Sequence, residues 1–296
     1  FVFFRPGDKP IYFQIVPSDF WYEQEIHMEP AWEEQFTVVR LSTLDELSGT
    51  LKQYSIADTA YIGEDSAVAA ALGFSKELIN PQSLISYLDY SRAVKSDYEL
   101  DQLRSANRLA LLGHSAAKSC FLAGGTEYEI HMAFLQATQN LEDECPYTNI
   151  VALNEKAAIL HYQFKRKINQ DRGRVLLIDA GCRVRAYGSD ITRTSVSDDA
   201  HPTFKSLVRE MEKLELALVS EVEPGKTYQS LHTSTLQRIA RVLVDHDICT
   251  GSVEEVIDLK IPQLFMPHGV GHLLGIQVHD VGGHQSDKAG TRLPPP

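Results

Sequence analysis

The first third of the chain alternates short apolar runs with segments in which apolar residues recur at helical spacing. Four runs rich in β-branched and aromatic residues predict β-strands at 1–4, 10–16, 36–41 and 60–63. Segments 43–53 and 66–72 predict helices, and Thr43 with Glu46 three residues later is typical of a helix N-terminus. Strands that alternate with helices indicate a small α/β domain. A boundary is predicted within 81–91, which gives an N-terminal domain of residues 1–88 and a second domain of residues 89–296.

Longer helical patterns dominate the second domain. Four helices are predicted, at 96–120, 126–140, 204–222 and 227–247. Thr126 and Glu129 have the spacing of a capping box at the start of the second of these. A β-hairpin is predicted from 149–152 and 157–162, with Asn-Glu-Lys at 154–156 as its turn. The chain as a whole is therefore predicted to have an α+β fold.

The segment 175–194 carries two acids on a second predicted hairpin. Residues 175–178 (Val-Leu-Leu-Ile) are typical of a strand buried on both faces, and Asp179 ends this run. Asp190 lies in the returning strand, so the two acids can face each other across an antiparallel ladder. Two such carboxylates repel each other and lose hydration on burial, so one would bind a proton unless a cation lies between them.

A pair of divalent metal ions would remove this conflict and gain oxygen ligands. The alternative is a surface hairpin with two solvated acids. It is disfavoured for Asp179, because an acid rarely ends such an apolar run without a partner.

Three histidines, His268, His272 and His279, share one glycine-rich segment with Asp280. Glycine lets the backbone approach a ligand closely, and imidazole both binds metals and carries protons near neutral pH. Three histidines so close together exceed what a packed loop needs, so they predict a functional cluster. The spacing of His268 and His272 also fits a helical zinc pair, but the interposed glycines and the missing Glu after His268 speak against it. His161, considered alone, is about as often a satisfied core residue as a functional one.

Composition and charge narrow the classes of function. The 296 residues carry a formal net charge of -12, which speaks against nucleic acid or an anionic membrane surface as a partner. No apolar run is long enough to span a bilayer. The four cysteines are widely separated, which predicts reduced thiols in a cytoplasmic protein instead of a disulfide framework or a zinc knuckle.

Five motifs in order along the chain resemble the bacterial Xaa-Pro dipeptidases (prolidases). The motifs are Asn-Glu-Lys-Ala-Ala-Ile-Leu-His-Tyr at 154–162, Ile-Asp-Ala-Gly at 178–181, Ser-Asp-Ile-Thr-Arg at 189–193, Pro-His-Gly-Val-Gly-His at 267–272 and Val-His-Asp-Val-Gly at 278–282. These enzymes belong to the pita-bread metallopeptidase family, with aminopeptidase P and methionine aminopeptidase. The resemblance implies that residues 1–88 form a small α/β domain and that residues 89–296 form a pita-bread (creatinase/aminopeptidase-like) catalytic domain. Residues 92–100 resemble the start of the catalytic domain in that family.

The resemblance also implies a metal site and a reaction. Members of the family bind two divalent cations through two Asp, one His and two Glu. The cations are usually Mn²⁺ or Co²⁺, and Zn²⁺ is a further alternative. By resemblance Asp179 binds one cation, Asp190 bridges both and His272 binds the other. His268 and His279 resemble histidines that contact the substrate or support the ligands, and His161 resembles the one near the scissile bond. The cations would polarise the carbonyl and activate a bridging water, so the implied reaction is hydrolysis of dipeptides with C-terminal proline by a homodimer.

The chain departs from the family pattern at both ends. The two Glu ligands of the family lie downstream of the histidine segment, and this sequence stops before either of them. By the same comparison, the N-terminal domain in this sequence lacks the part with which the domain opens in the family. We therefore expect both domains to be incomplete, with three of the five family ligands present. Either the full protein continues beyond Pro296 and supplies the two Glu ligands, or this piece alone is a poor catalyst.

Three functions stay open from the sequence. The leading one is the Xaa-Pro dipeptidase, with a side activity on organophosphate triesters open, since a tetrahedral phosphoryl centre resembles the transition state of peptide hydrolysis. The second is aminopeptidase P, which removes the first residue from longer Xaa-Pro peptides. The third is a metal-free binding module on the same fold, against which the intact Asp179, Asp190 and His272 argue.

Overall fold

A computed structural model of the chain describes residues 1–22, 30–54, 56–168 and 171–293. The chain divides into two compact units, Phe1–Tyr87 and Leu88–Pro296. The predicted C-terminal limit of the second domain, Pro296, lies outside the described residues.

The first unit contains a three-stranded sheet and short helices. Its elements are β1 (Val2–Phe3), β2 (Ile11–Ile15), α1 (Pro30–Glu33), β3 (Thr37–Leu41), α2 (Leu44–Leu51) and α3 (Ser66–Ala71). The strand order is β1-β2-β3, with an antiparallel first pair and a parallel second pair. Helix α2 begins at the predicted cap, because the Thr43 side chain accepts a hydrogen bond of 3.2 Å from the Glu46 backbone N–H. Phe13, Leu47 and Leu51 are buried in the core of this unit.

The second unit is built on an antiparallel sheet. The strands that follow along the chain are β4 (Ile150–Leu153), β5 (Val175–Ala180), β6 (Arg183–Val184), β7 (Tyr187–Gly188) and β8 (Ile191–Val196). Strand β5 lies between β4 and β8, and β6 pairs with β7 in a separate two-stranded ribbon. Leu176 and Ile178 of β5 are buried, as the apolar run predicts. The turn of the ribbon holds Arg185 and Ala186 at φ +49° and +72°, and a two-residue hairpin turn of type I′ requires positive φ at both positions.

The helices from residue 82 onward are α4 (Gln82–Ala93), α5 (Asp97–Leu122), α6 (Glu127–Thr138), α7 (Pro202–Glu221), α8 (Tyr228–Asp245), α9 (Val253–Asp258) and α10 (Pro262–Phe265). Helix α5 contacts β5, α6 contacts β4 and α7 contacts β8, while α8 packs against α7, α9 and α10. A capping box of Ser96 and Glu99 starts α5. Phe121 of α5 and Phe134 of α6 are buried in one core cluster with Leu176 of β5. The site-bearing end of β5 therefore stands on a packed helical layer.

The hairpin predicted from 149–152 and 157–162 is wrong. Strand β4 is followed by a 3-10 helix, Asn154–Ala158, and its antiparallel partner is β5. Asn154 explains the difference, since it takes φ +55° and its Oδ1 accepts hydrogen bonds from the backbone N–H groups of Arg174 (2.7 Å) and Val175 (3.2 Å). Asparagine tolerates this left-handed conformation and bonds to nearby backbone. It therefore leads the chain out of β4 and holds the start of β5.

Candidate active site

Strand pairing brings the two acids to one face of the sheet. Asp179 is the penultimate residue of β5 and pairs with Thr192 of β8. Asp190 precedes Thr192 by two residues, and side chains two apart on an extended chain point to the same face. The acids are therefore diagonal neighbours, displaced by two residues from the directly opposed pair that the sequence predicts.

The predicted returning strand is interrupted next to Asp190. Residues 187–194 divide into β7 and β8, with Ser189 and Asp190 between them. Gly181 approaches this break so closely that a Cβ atom there would lie 2.2 Å from the Ser189 carbonyl oxygen. The Ser189 hydroxyl accepts a hydrogen bond of 3.0 Å from the Cys182 backbone N–H. The interruption is thus fixed by hydrogen bonding, and it holds Asp190 at the edge of a cavity.

Tyr147 joins the two carboxylates. Its hydroxyl lies 2.6 Å from Oδ1 of Asp179 and 3.0 Å from Oδ1 of Asp190. Burial is the main cause that raises the pKa of the Tyr147 phenol, and the two neighbouring carboxylates raise it further. The phenol therefore stays neutral and donates its one proton to the acid pair. The sequence did not predict Tyr147 as a site residue. The predicted hairpin paired 149–152 with 157–162, so neither β4 nor the segment before it was expected to lie next to Asp179.

The surroundings shift the pKa values of the two acids in opposite directions. Burial raises the pKa of Asp179, and the charge of Asp190 adds to this. A hydrogen bond with His272 is the main cause that lowers the pKa of Asp190, and the Tyr147 hydroxyl contributes as well. Asp190 is therefore the acid of the pair that ionises more readily, while Asp179 is the acid for which ionisation without a nearby cation is more costly.

A loop closes to place two histidines beside Asp190. The Asp280 backbone N–H donates a hydrogen bond of 3.0 Å to the Leu273 carbonyl, so the residues just before each of these positions come together. The ring centroids of His272 and His279 are 4.0 Å apart. Nε2 of His272 lies 3.1 Å from Oδ2 of Asp190, and this contact is the main cause that raises the pKa of His272. The segment is not helical, which agrees with the rejection of a helical zinc pair.

The cluster has the donor set of a divalent-metal site. One ligand atom each from Asp190, His272 and His279 lies within 4.8 Å of the others. Carboxylate oxygen and imidazole nitrogen both bind divalent first-row metals. Asp179 is connected to this group through the shared Tyr147 hydroxyl. The residues present therefore fit a cation, and the fit includes His279, which the sequence assigns to substrate contact.

A cavity of about 540 Å³ opens beside the acids. His161 and His279 line it together with both acids, so the structure brings these predicted site residues to one space. The lining residues are Tyr147, Thr148, Ile150, His161, Gln163, Asp179, Asp190, Val278 and His279.

His268 is placed differently from the other predicted histidines. Its side chain is exposed, and its Nδ1 lies 2.9 Å from the carbonyl oxygen of Gly269. Among the described residues, it belongs neither to the lining of the cavity nor to the cluster around Asp190. The physical reason is the position of the loop closure, which joins Leu273 to Asp280 and leaves His268 outside.

In the metal-free protein, Asp190→Asn is expected to lower the pKa of His272 toward its ordinary value. The interaction that raises the pKa of His272 contributes its full stability below about pH 6.5, the pKa in the unfolded chain, and this contribution is lost as the pH rises through the raised pKa. The interactions that lower the pKa of Asp190 contribute their full stability above about pH 3.9, and this contribution is lost as the pH falls through the lowered pKa. The variant should therefore lose most stability between about pH 4 and 6.5.

Histidine NMR titration and melting temperature against pH measure both effects. The exposed His284 provides an internal reference in the same segment. An unchanged His272 titration in the variant would show that Asp190 does not hold this imidazole.

Two family descriptions match the chain. Metallopeptidase family M24 matches residues 101–295, and the description "Xaa-Pro dipeptidase, N-terminal domain" matches residues 1–90. The chain belongs to metallopeptidase family M24. Membership in M24 implies divalent metal ions, and it confirms the family resemblance that the motifs predict.

Relatives within M24 cover nearly the whole chain. The Xaa-Pro dipeptidase of Shewanella woodyi is 42% identical over 289 residues, which is 98% of this chain and 65% of that protein. The Xaa-Pro dipeptidase of Pseudoalteromonas atlantica is 42% identical over 294 residues, with the same two coverages. The chain thus spans 65% of the length of these curated relatives.

Solved structures share the fold of this M24 chain. Zinc-substituted aminopeptidase P of Escherichia coli in complex with product has a TM-score of 0.73 at 21% identity, over 97% of this chain and 69% of that one. Proline aminopeptidase P II of Yersinia pestis has a TM-score of 0.71 at 24% identity, over 97% and 70%. The predicted α+β fold with a pita-bread catalytic domain is confirmed. No helix among the described residues is both long enough and apolar enough to cross a membrane.

Proposed function

We propose that the protein is a divalent-metal-dependent Xaa-Pro dipeptidase. One observation carries the proposal: Asp179, Asp190, His161 and His279 line a single cavity in a chain that is 42% identical to Xaa-Pro dipeptidases over 98% of its length. His272 reaches the same place through its contact of 3.1 Å with Asp190. The cavity of about 540 Å³ lies in the size range of small-molecule sites, which suits a dipeptide.

The acids and His272 would hold the cations. Asp190 would be the shared ligand, because its two oxygens already face different partners, Tyr147 and His272. Asp179 would gain most from a cation, since burial disfavours its charge. We propose Mn²⁺ as the native metal, because carboxylate-rich sites suit it, with Co²⁺ and Zn²⁺ as alternatives. When bound, such cations supply Lewis-acid polarisation of the scissile carbonyl and a nucleophilic water near neutral pH.

The remaining groups would bind and orient the substrate. His161 and His279 line the cavity with the acids, and an imidazole N–H can donate a hydrogen bond to a carbonyl or a carboxylate oxygen. Tyr147 would keep the two acids together through its neutral hydroxyl. We assign no step to His268, since among the described residues it belongs neither to the lining of the cavity nor to the cluster around Asp190.

Peptide length separates this function from the alternatives. The full-length protein is expected to hydrolyse alanyl-proline and to leave alanyl-prolyl-alanine nearly untouched. Cleavage of the tripeptide with an inert dipeptide would indicate aminopeptidase P, and a protein that binds no metal and cleaves neither would be a binding module. Manganese-loaded protein and liquid chromatography of the products provide the measurement.

We further propose that the protein is a cytoplasmic homodimer that binds neither nucleic acid nor membranes. The free thiols of Cys120, Cys145, Cys182 and Cys249 and the net charge of -12 support the location and the absence of such partners. The homodimer rests on the family resemblance. Sedimentation equilibrium of the full-length protein tests it, and a mass of one chain would contradict it.

A further inference from the structure

A buried carboxylate lies directly behind the histidine loop and carries two cationic partners. The Asp280 side chain is 2% exposed. Its Oδ1 accepts a hydrogen bond of 2.7 Å from Arg92 Nη2, and its Oδ2 accepts one of 2.7 Å from Lys95 Nζ. The Lys95 side chain is only 9% exposed. A buried charge without partners is strongly destabilising, so the contacts with Arg92 and Lys95 offset the cost of burying the Asp280 carboxylate.

The two cations are presented by a constrained turn between helices. Arg92 lies in the last turn of α4, and Lys95 directly precedes Ser96, the N-cap residue of α5. Lys95 Nζ also donates a hydrogen bond of 2.6 Å to the Arg92 carbonyl oxygen, which ties the two cations together. The capping box at Ser96 fixes the start of α5. Asp280 therefore meets a preformed pair of cations that lies more than 180 residues earlier in the chain.

Glycines make room for this carboxylate within the loop. A Cβ atom at Gly275 would lie 2.1 Å from Asp280 Oδ2. Gly282 has φ +86°, and a Cβ atom there would lie 2.3 Å from the Asp89 carbonyl oxygen. Positive φ and such close approaches are accessible to glycine and strained for other residues. The loop is thus shaped around the Asp280 side chain and against the end of α4.

The contact acts on a residue of the candidate active site. His279, the residue before Asp280, lines the cavity and lies with its ring centroid 4.0 Å from that of His272. We propose that Arg92, Lys95 and Asp280 form a clamp that positions His279 for catalysis. The three are positioning residues, since they act through His279, and the proposal of a catalytic effect rests on the proposed dipeptidase function.

A mutant cycle in the full-length enzyme tests the clamp. Asp280→Asn is expected to lower kcat/KM for alanyl-proline on the order of 10- to 100-fold with bound metal unchanged, because small misplacements of catalytic groups have effects of this size. Lys95→Gln should act in the same direction with a milder effect on folding, since Arg92 still pairs with Asp280. Asp101→Asn, which removes an exposed acid from α5, is the matched control and should leave kcat/KM unchanged.

Combination with His279→Ala separates positioning from general structure. If the clamp acts through His279, adding Asp280→Asn or Lys95→Gln to His279→Ala lowers kcat/KM no further. An undiminished second loss in that background would overturn the proposal. So would a loss that follows melting temperature or metal content, or the failure of both clamp variants to fold while Asp101→Asn folds.

Histidine NMR keeps this test independent of the proposed function. In metal-free protein labelled with ¹³C-histidine, both clamp variants should shift the His279 resonance and leave in place that of His246, the C-cap residue of α8. If the wild type cleaves no Xaa-Pro dipeptide, the dipeptidase proposal fails, and the NMR result still decides whether the clamp positions His279. An unmoved His279 resonance would refute the clamp even in an active enzyme.

Discussion

Replacing Asp190 with asparagine is expected to abolish Xaa-Pro dipeptidase activity in the full-length protein while leaving the fold nearly intact. Asp190 contacts Tyr147 and His272 with different oxygens, and an amide is a poor substitute for an anionic bridging ligand. Loss of several kcal/mol of stabilisation at a metal centre corresponds to a decrease of at least about 1,000-fold in turnover. Asp198→Asn, an exposed acid just beyond β8, should retain full activity.

Metal stoichiometry and turnover of glycyl-proline or alanyl-proline provide the measurement. Circular dichroism should show that both variants keep their secondary structure. Retained turnover by Asp190→Asn with two bound cations would refute the bridging role.

His279→Ala is expected to lower the rate on the order of 100-fold and to leave metal binding largely unchanged. The reason is the loss of one positioned hydrogen-bond donor beside the scissile bond. The structure also places His279 within reach of a cation held by Asp190 and His272. If His279 is instead a metal ligand, the variant loses metal and rate together.

Turnover, metal content and melting temperature of the variant decide between these roles. His284→Ala serves as the control, since His284 is an exposed histidine of the same segment that does not line the cavity. Normal turnover by His279→Ala would show that His279 has no part in the reaction. A rate that falls only together with the melting temperature would indicate a packing histidine.

Features that act over a few residues could be predicted from the sequence. The capping box of Thr126 and Glu129 is present, and α6 begins directly after Thr126. The apolar run before Asp179 forms the buried strand β5. Both signals are local, because a cap requires two residues three apart and a buried strand requires a short apolar run. The acids and His272 could be singled out as candidate ligands for the same reason, since each stands in a compact motif.

Features that depend on strand pairing could not be predicted in the same way. Strand β4 pairs with β5 more than twenty residues later, and the left-handed Asn154 that causes this resembles an ordinary turn residue in the sequence. Because that pairing was missed, Tyr147 could not be placed next to Asp179 and Asp190. Its position could have been found from the register that puts Ile150 opposite Asp179.

Contacts between segments that are distant in the sequence were the hardest to predict. The pairing of Lys95 with Asp280 depends on the complete fold of the second unit. Each residue stands in a segment that the sequence analysis singled out, but nothing in either segment indicates that the two side chains meet. The exposure of His268 has the same origin, because it follows from where the loop closes and not from the spacing of the histidines.

Metal-dependent turnover of a Xaa-Pro dipeptide by the purified full-length protein tests the central claim most directly. Alanyl-proline hydrolysis and bound metal should be measured before chelation, after chelation and after Mn²⁺ is added back. We expect two cations per chain, loss of hydrolysis when they are removed and recovery when they are restored. Hydrolysis that survives complete removal of the metal, or its absence in a protein with both cations bound, would contradict the proposed function.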